Sequence, residues 1–176
     1  PRGTVTNGTH GWIGVVGESG EKEVFGAVYE EDAAQLDSMA FYINPTFAEI
    51  PTAEFFHAVS NMAAGDCFKI AATLAPARGL KTITGAGSGL VGGLEWEARE
   101  GKTNSASGIR VALCSDRTRA VTVSVSSERL PDKGVTPLSE KPCRLLIDTP
   151  VYDQVPFEPD RPGTYVIRAT IRGNDG

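Results

Sequence analysis

The stretch Val121-Thr122-Val123-Ser124-Val125 alternates apolar and hydroxyl side chains without a break. Because successive side chains of a strand point to opposite faces, this pattern predicts a β-strand with its valines in a core and its hydroxyls in water. The segment 165–172 repeats the pattern, with one face formed by Tyr165, Ile167, Ala169 and Ile171 and the other by Arg168 and Arg172. Strands with one dry and one wet face are typical of antiparallel sheets.

Further strands are predicted on both sides of this centre, separated by short turns that contain Gly, Pro, Asp or Asn. They cover residues 12–16, 24–29, 68–73, 80–84, 94–99, 109–114 and 144–147. Many short strands at close spacing favour a sandwich or a barrel. We therefore predict one mainly β domain over residues 1–176, an antiparallel β-sandwich of jelly-roll-like type.

Two helices are predicted within this β-rich chain. The clearer one covers 52–64, where Thr52 is placed to cap the helix and Gly65 to end it in the left-handed conformation. Apolar side chains recur there at helical spacing, at Phe55, Val59 and Met62. A second, weaker helix is predicted over 31–40, which opens with acidic residues.

Composition and charge exclude several classes of protein. The 176 residues are 40% hydrophobic and 22% charged, which argues against a disordered chain and a coiled coil. Residues 1–100 hold 6 Lys and Arg against 13 Asp and Glu, a balance of −7, and residues 101–176 contribute +2 to give the net charge of −5. Without clustered basic residues we expect no nucleic-acid partner. No segment approaches the length of a membrane span, and the first residues lack the features of a signal peptide, so we expect neither.

The stretch Gly87-Ser88-Gly89-Leu90-Val91-Gly92 matches the G-x-G-x-x-G pattern of dinucleotide-binding folds, and Asp116 lies at about the distance of a ribose-binding acid. That site requires a helix directly after the glycines, whereas 94–99 alternates like a strand. We therefore interpret the glycines as a flexible or bulged hairpin loop and expect no bound cofactor.

Glu95 and Glu97 are the best pair of carboxylates for catalysis. At positions i and i+2 of a strand they share one face about 6–7 Å apart, a separation that suits glycoside hydrolysis. Arg99 lies on the same predicted face as a neutralising partner, so an ordinary solvated face explains the pair equally well.

The remaining reactive residue types do not assemble into a recognisable site. His10 and His57 are the two histidines, and neither belongs to a metal-binding spacing or accompanies a G-x-S-x-G nucleophile motif. We expect no metal. The cysteines, Cys67, Cys114 and Cys143, form no C-x-x-C pair, which predicts reduced, buried thiols. One disulfide with one free thiol stays open for a secreted protein.

The segment Pro162-Gly163-Thr164-Tyr165 resembles the turn before a late strand in many Greek-key sandwiches. The resemblance implies that the tyrosine hydroxyl binds a nearby backbone group while its ring packs in the core. Copper-binding sandwiches share such turns, but no His, Cys or Met follows Cys143, so we expect no copper site.

Three classes of function remain. The first is a non-catalytic binding or assembly module, such as a viral or phage capsid or tail domain, which binds a protein partner or forms a homo-oligomer. The second is an acidic inhibitor or immunity-type protein that binds a basic partner. The third is a small β-sheet hydrolase that uses Glu95 and Glu97. Scarce catalytic residue types favour the first, and an enzyme is not the expected outcome.

Overall fold

The computed structural model describes residues 2–6, 11–16, 24–30, 36–44, 50–57, 61–75, 77–96, 107–132 and 134–173. They form thirteen strands, β1 (Arg2–Thr6), β2 (Trp12–Val16), β3 (Val24–Glu30), β4 (Leu36–Asn44), β5 (Ile50–His57), β6 (Ala72–Ala75), β7 (Gly85–Gly87), β8 (Leu90–Trp96), β9 (Ser107–Ser115), β10 (Arg119–Leu130), β11 (Val135–Leu145), β12 (Val151–Phe157) and β13 (Thr164–Gly173). All pairings between these strands are antiparallel. The prediction of a mainly β, antiparallel chain is confirmed.

The strands form four sheets, which we name after a central strand. The β10 sheet has the order β11-β10-β13, and the β9 sheet has the order β12-β9-β8-β7. The β3 sheet has the order β2-β3-β6, and the β4 sheet has the order β1-β4-β5.

The main core lies between the β10 sheet and the β9 sheet. Val121, Val123 and Val125 are buried in it, whereas Thr122 and Ser124 are only half-buried, as their alternation predicted. These valines share one apolar cluster with buried residues of the other strands, namely Ile109, Val111, Leu113, Leu145, Val155 and Phe157. Two sheets that enclose a common core are consistent with a β-sandwich.

A second core covers the opposite face of β9. Ala112 and Cys114 of that strand pack with Val91 of β8 and with a set contributed by the preceding chain, Ala75, Ala77 and Leu80. Residues 111–115 are therefore all buried, although their side chains alternate between two faces. This explains why 109–114 reads as an apolar run and not as an alternating strand.

Tyr165 fulfils the expectation from its resemblance to a Greek-key turn. Its hydroxyl donates a hydrogen bond to the Arg161 carbonyl oxygen at 2.8 Å. Its ring packs on the main core, edge-on to Phe157 with 5.3 Å between the ring centroids. The hydroxyl thus ties the turn to the start of β13 while the ring stays in apolar surroundings.

The predicted helix over 52–64 is wrong for the residues that the structure describes. Residues 52–57 belong to β5, which pairs with β4 along its whole length, and 61–64 are not helical; 58–60 lie outside the described residues. Aromatic residues such as Phe55 and Phe56 are common in paired strands, and the pairing of all eight β5 residues with β4 stabilises the strand in place of the helix. Gly65 does adopt a positive φ of 97°, but it lies in a turn closed by the Asp66 N–H and the Ala63 carbonyl.

The second predicted helix is also wrong where it can be compared, because residues 36–40 belong to β4; 31–35 lie outside the described residues. The strands at 12–16, 24–29 and 109–114 are confirmed. Two others are shorter than predicted, because 68–73 is a strand only from Ala72 and 144–147 only to Leu145. The strand predicted over 80–84 is wrong, because these residues are irregular. None of the described residues belongs to a helix long and apolar enough to cross a membrane.

Candidate functional site

Glu95 lies on the face of the β9 sheet that carries the second core. Its Oε2 accepts a hydrogen bond from Nη1 of Arg110 at 3.1 Å, and its Oε1 accepts one from the Lys81 backbone N–H at 3.0 Å. Only 11% of the Glu95 side chain is exposed. Both carboxylate oxygens therefore hold protein donors already.

Arg110 extends this contact across the sheet to Tyr152 of β12. Its guanidinium carbon lies 4.1 Å from the centre of the Tyr152 ring, and the Tyr152 hydroxyl donates to the Gly79 carbonyl oxygen at 2.9 Å. The three side chains thus hold the segment that contains Gly79 and Lys81 against the sheet. Charge-assisted hydrogen bonds in a half-buried place anchor a loop well.

Glu97 and Arg99 lie outside the described residues, so the predicted carboxylate pair has only one placed member. The ionic partner of Glu95 in the structure is Arg110 on the neighbouring strand. Arg110 is directly opposite Glu95 in the pairing of β8 with β9, and the sequence cannot supply that register. A catalytic role for Glu95 and Glu97 stays a prediction.

The Gly-rich stretch forms a tight hairpin, as the sequence suggested. Gly87 of β7 pairs with Leu90 of β8, and the turn between them consists of Ser88 and Gly89. Both turn residues have positive φ, 50° and 75°, the combination of a two-residue turn that matches the strand twist. The glycines therefore form a β-hairpin and not the strand-to-helix turn that a dinucleotide site needs.

Asp116 and Arg119 close the hairpin from the neighbouring β9–β10 turn. The Arg119 guanidinium donates to the Ser88 carbonyl oxygen at 2.7 Å and to Asp116, while the Asp116 N–H donates to the Gly89 carbonyl oxygen at 3.0 Å. The acid that could have bound a ribose in a dinucleotide fold thus stabilises a turn here.

The cysteines occupy three different environments and are all free. Cys67 is exposed, against the expectation of burial, whereas Cys114 is buried and Cys143 is half-buried. Burial raises the pKa of the Cys114 thiol. Burial also raises the pKa of the Cys143 thiol, and the negative charge of Asp153 adds to that rise. Both thiols therefore stay protonated near neutral pH and act as apolar groups.

Only one of the two histidines, His57, lies among the described residues. His57 stands edge-on to Phe68, with 5.6 Å between the ring centroids, and His10 lies outside the described residues. Within the described ranges, no three His, Cys, Asp or Glu side chains converge on a position for a metal ion.

The sequence did not predict a side pocket between the outer strands of the two main sheets. The pocket has a volume of about 140 Å³, and most of its wall is apolar: Val111, Leu113, Val123, Pro142, Cys143 and Val151. At its rim, Lys141 of β11 and Asp153 of β12 form an ion pair at 2.8 Å. Finding the pocket requires knowing that β11 and β12 are edge strands on the same side.

The outer edge of β13 is a second feature that sequence alone could not locate. Among the described strands, only β10 pairs with β13, although β13 is ten residues long. The other edge of the same sheet, β11, contains Pro137 and Pro142, and the edge strand β12 contains Pro156. β13 contains no proline.

Comparison with known proteins yielded no match to a protein-family model, to a curated protein or to a solved structure.

Proposed function

We propose that this chain is a non-catalytic assembly module that associates with a second copy of itself, as a viral or phage structural domain would. The observation that carries the proposal is the ten-residue edge of β13. An edge strand presents a row of backbone N–H and C=O groups that another strand satisfies by pairing.

Proline distribution supports β13 as the pairing edge. Proline has no backbone N–H and therefore interrupts pairing along an edge. Proline is present in β11 and β12 and absent from β13, and the fourth edge, β7, is only three residues long. Among the described strands, β13 is therefore the longest proline-free edge of the two sheets that enclose the main core.

The side chains of β13 are compatible with its own antiparallel copy. In a register centred on Ala169, Ile167 faces the partner's Ile171, so the apolar face continues across the interface. Arg168 then faces the partner's Thr170, so no like charges stand directly opposite each other. Because Ile167 and Ile171 pack on the main core, this pairing joins two β10 sheets into one six-stranded sheet.

A second surface also favours assembly. Every residue from 61 to 74 except Phe68 and Thr73 is exposed, and this segment is irregular as far as β6. Its exposed residues include Met62, Ile70 and Leu74, the last with 71% of its surface accessible. An apolar segment without regular structure is unusual on a monomer and is typical of a surface that a partner covers.

Substitution of Thr170 tests the proposed register. Thr170→Lys puts a positive charge opposite the partner's Arg168 twice in the dimer, and we expect the dimer to weaken because like charges directly opposite each other destabilise a strand pair. Thr170→Glu puts opposite charges there, and each such pair contributes roughly 0.2–1 kcal/mol, so the dimer should tighten by roughly twofold to thirtyfold. The measurement is the absolute mass by light scattering over a range of concentrations.

Thr136→Lys on the edge strand β11 is the matched control, because Thr136 is also exposed and lies on the opposite edge of the same sheet. It should leave the mass unchanged.

A wild-type chain that stays monomeric at every concentration would refute self-assembly, and a salt-sensitive one-to-one complex with a basic protein would support the inhibitor class instead. Activity that both Glu95→Gln and Glu97→Gln abolish would support the hydrolase class.

A further inference from the structure

We infer that the side pocket between β11 and β12 is a binding site for a small, neutral, apolar molecule of about the size of benzene. The inference is independent of the proposed assembly, because the pocket lies on the β11 and β12 side of the core and β13 is the opposite edge of the β10 sheet.

The shape of the pocket follows from the way in which the two sheets end. β11 and β12 are both outermost strands, and they contact each other only sparsely. The side chains behind them, Val111 and Leu113 of β9 and Val123 of β10, are therefore reached from the side of the core. The resulting volume of about 140 Å³ is close to that of an apolar cavity that takes up benzene.

The chemistry of the wall selects an apolar ligand. Its buried members are aliphatic, and Cys143 adds a thiol that its raised pKa keeps uncharged near neutral pH. A polar ligand would lose its hydrogen bonds with water on entry and find few replacements along the aliphatic wall.

The chemistry of the rim selects a neutral ligand. Lys141 and Asp153 carry opposite charges and neutralise each other across the mouth of the pocket at 2.8 Å. An anion would compete with Asp153 for Lys141, and a cation would compete with Lys141 for Asp153. Neither exchange gains a contact, whereas a neutral molecule leaves the ion pair intact.

Cys143 provides a direct measurement of occupancy. Iodoacetamide should alkylate this thiol only while the pocket is empty, and peptide mass spectrometry separates its rate from that of the other cysteines. With benzene at three times its Kd, we expect the rate at Cys143 to fall about fourfold, because only the free fraction reacts. The Kd is measured separately by NMR titration with benzene.

Cys67 is the internal control, since its thiol is exposed and does not line the pocket. Its rate should not change with benzene. Benzoate, which has the same ring and a negative charge, should not protect Cys143.

A substitution that fills the pocket provides a second test of the binding site. Val151→Phe should abolish benzene binding in the NMR titration, and Val151→Leu serves if the larger residue disturbs folding, which circular dichroism reports. The inference is overturned if benzene leaves the Cys143 rate unchanged, if Cys67 and Cys143 change together, if benzoate protects equally, or if a folded, filled variant still binds benzene.

Discussion

At the scale of single residues, Gly93 has the tightest steric requirement in the loop contact around Glu95. A Cβ atom at this position would lie 2.2 Å from the Thr82 carbonyl oxygen. The approach is close because Thr82 and Thr84 bind the backbone of β8 beside it: the Thr82 hydroxyl donates to the Leu94 carbonyl oxygen, and the Leu94 N–H donates to the Thr84 hydroxyl. Gly93 is therefore the residue that lets this segment lie against β8.

Gly93→Ala should lower the free energy of unfolding by roughly 1–3 kcal/mol, because the clash forces the Thr82 backbone away from β8. Urea denaturation measures the loss. Gly85→Ala is the matched control, since nothing lies within 4 Å of its Cβ position, and it should change stability by no more than about 0.5 kcal/mol. Equal effects at both glycines would contradict the steric explanation.

Two residue-scale expectations show what sequence can and cannot predict. The bond of the Tyr165 hydroxyl to the Arg161 carbonyl was predictable, because both ends lie within five residues in a recognisable turn. The partner of Glu95 was not predictable. Arg110 is fifteen positions away, and it meets Glu95 only through the register of β8 with β9.

At the scale of elements, the β7–β8 hairpin depends on Gly89. Its φ of 75° lies in the region that favours glycine, and a Cβ atom there would lie 2.4 Å from the Asp116 carboxylate oxygens. The backbone conformation of the hairpin and its contact with Asp116 thus both require glycine at position 89.

Gly89→Ala should destabilise the chain by roughly 1–3 kcal/mol and loosen the hairpin, because alanine is strained at positive φ and displaces Asp116. Hydrogen exchange should show faster exchange of the Asp116 amide, which donates to the Gly89 carbonyl. Gly134→Ala, in the turn before β11 with open space around its Cβ position, is the control. An Asp116 amide that exchanges as slowly as in the wild type would refute the coupling.

One-sided burial made two strands directly predictable from their alternation. β10 and β13 have one face in the main core, and their alternation gave their positions directly. The sequence of 52–64 wrongly predicted a helix because the spacing of its aromatic residues fits a helix and a strand alike. The pairing of this segment with β4, which makes residues 52–57 a strand, depends on register and cannot be derived from the spacing. The side pocket and the β13 edge depend on strand order, which the sequence pattern does not encode.

At the scale of the whole molecule, the buried thiol of Cys114 and the half-buried thiol of Cys143 make stability depend on pH. Burial raises the pKa of both Cys114 and Cys143 above the ordinary value of 9.0, so the unfolded chain loses these protons at lower pH than the folded chain does. Their contribution to stability is therefore complete below that value and is lost as pH rises through the folded pKa values.

We expect the free energy of unfolding under reducing conditions to fall with rising pH above the ordinary thiol range. The double substitution Cys114→Ala and Cys143→Ala should flatten this part of the profile, although alanine lowers stability at every pH. Cys67 is retained in both proteins and serves as the exposed reference. Parallel profiles for the two proteins would show that the thiols do not cause the slope.

Burial on both faces makes residues 111–115 of β9 harder to replace than the one-sided strands among the described residues. In β10 only every second side chain enters a core, so a saturation mutagenesis scan should show tolerance that alternates along the strand. Residues 111–115 have no outward face, and we expect this alternation to vanish there, with charged substitutions rejected at all five positions. If the residues on one face of β9 accept charged substitutions without loss of folded protein, the two cores do not both depend on this strand. If the residues on both faces reject such substitutions, evolution can change β9 only together with the side chains that pack on it.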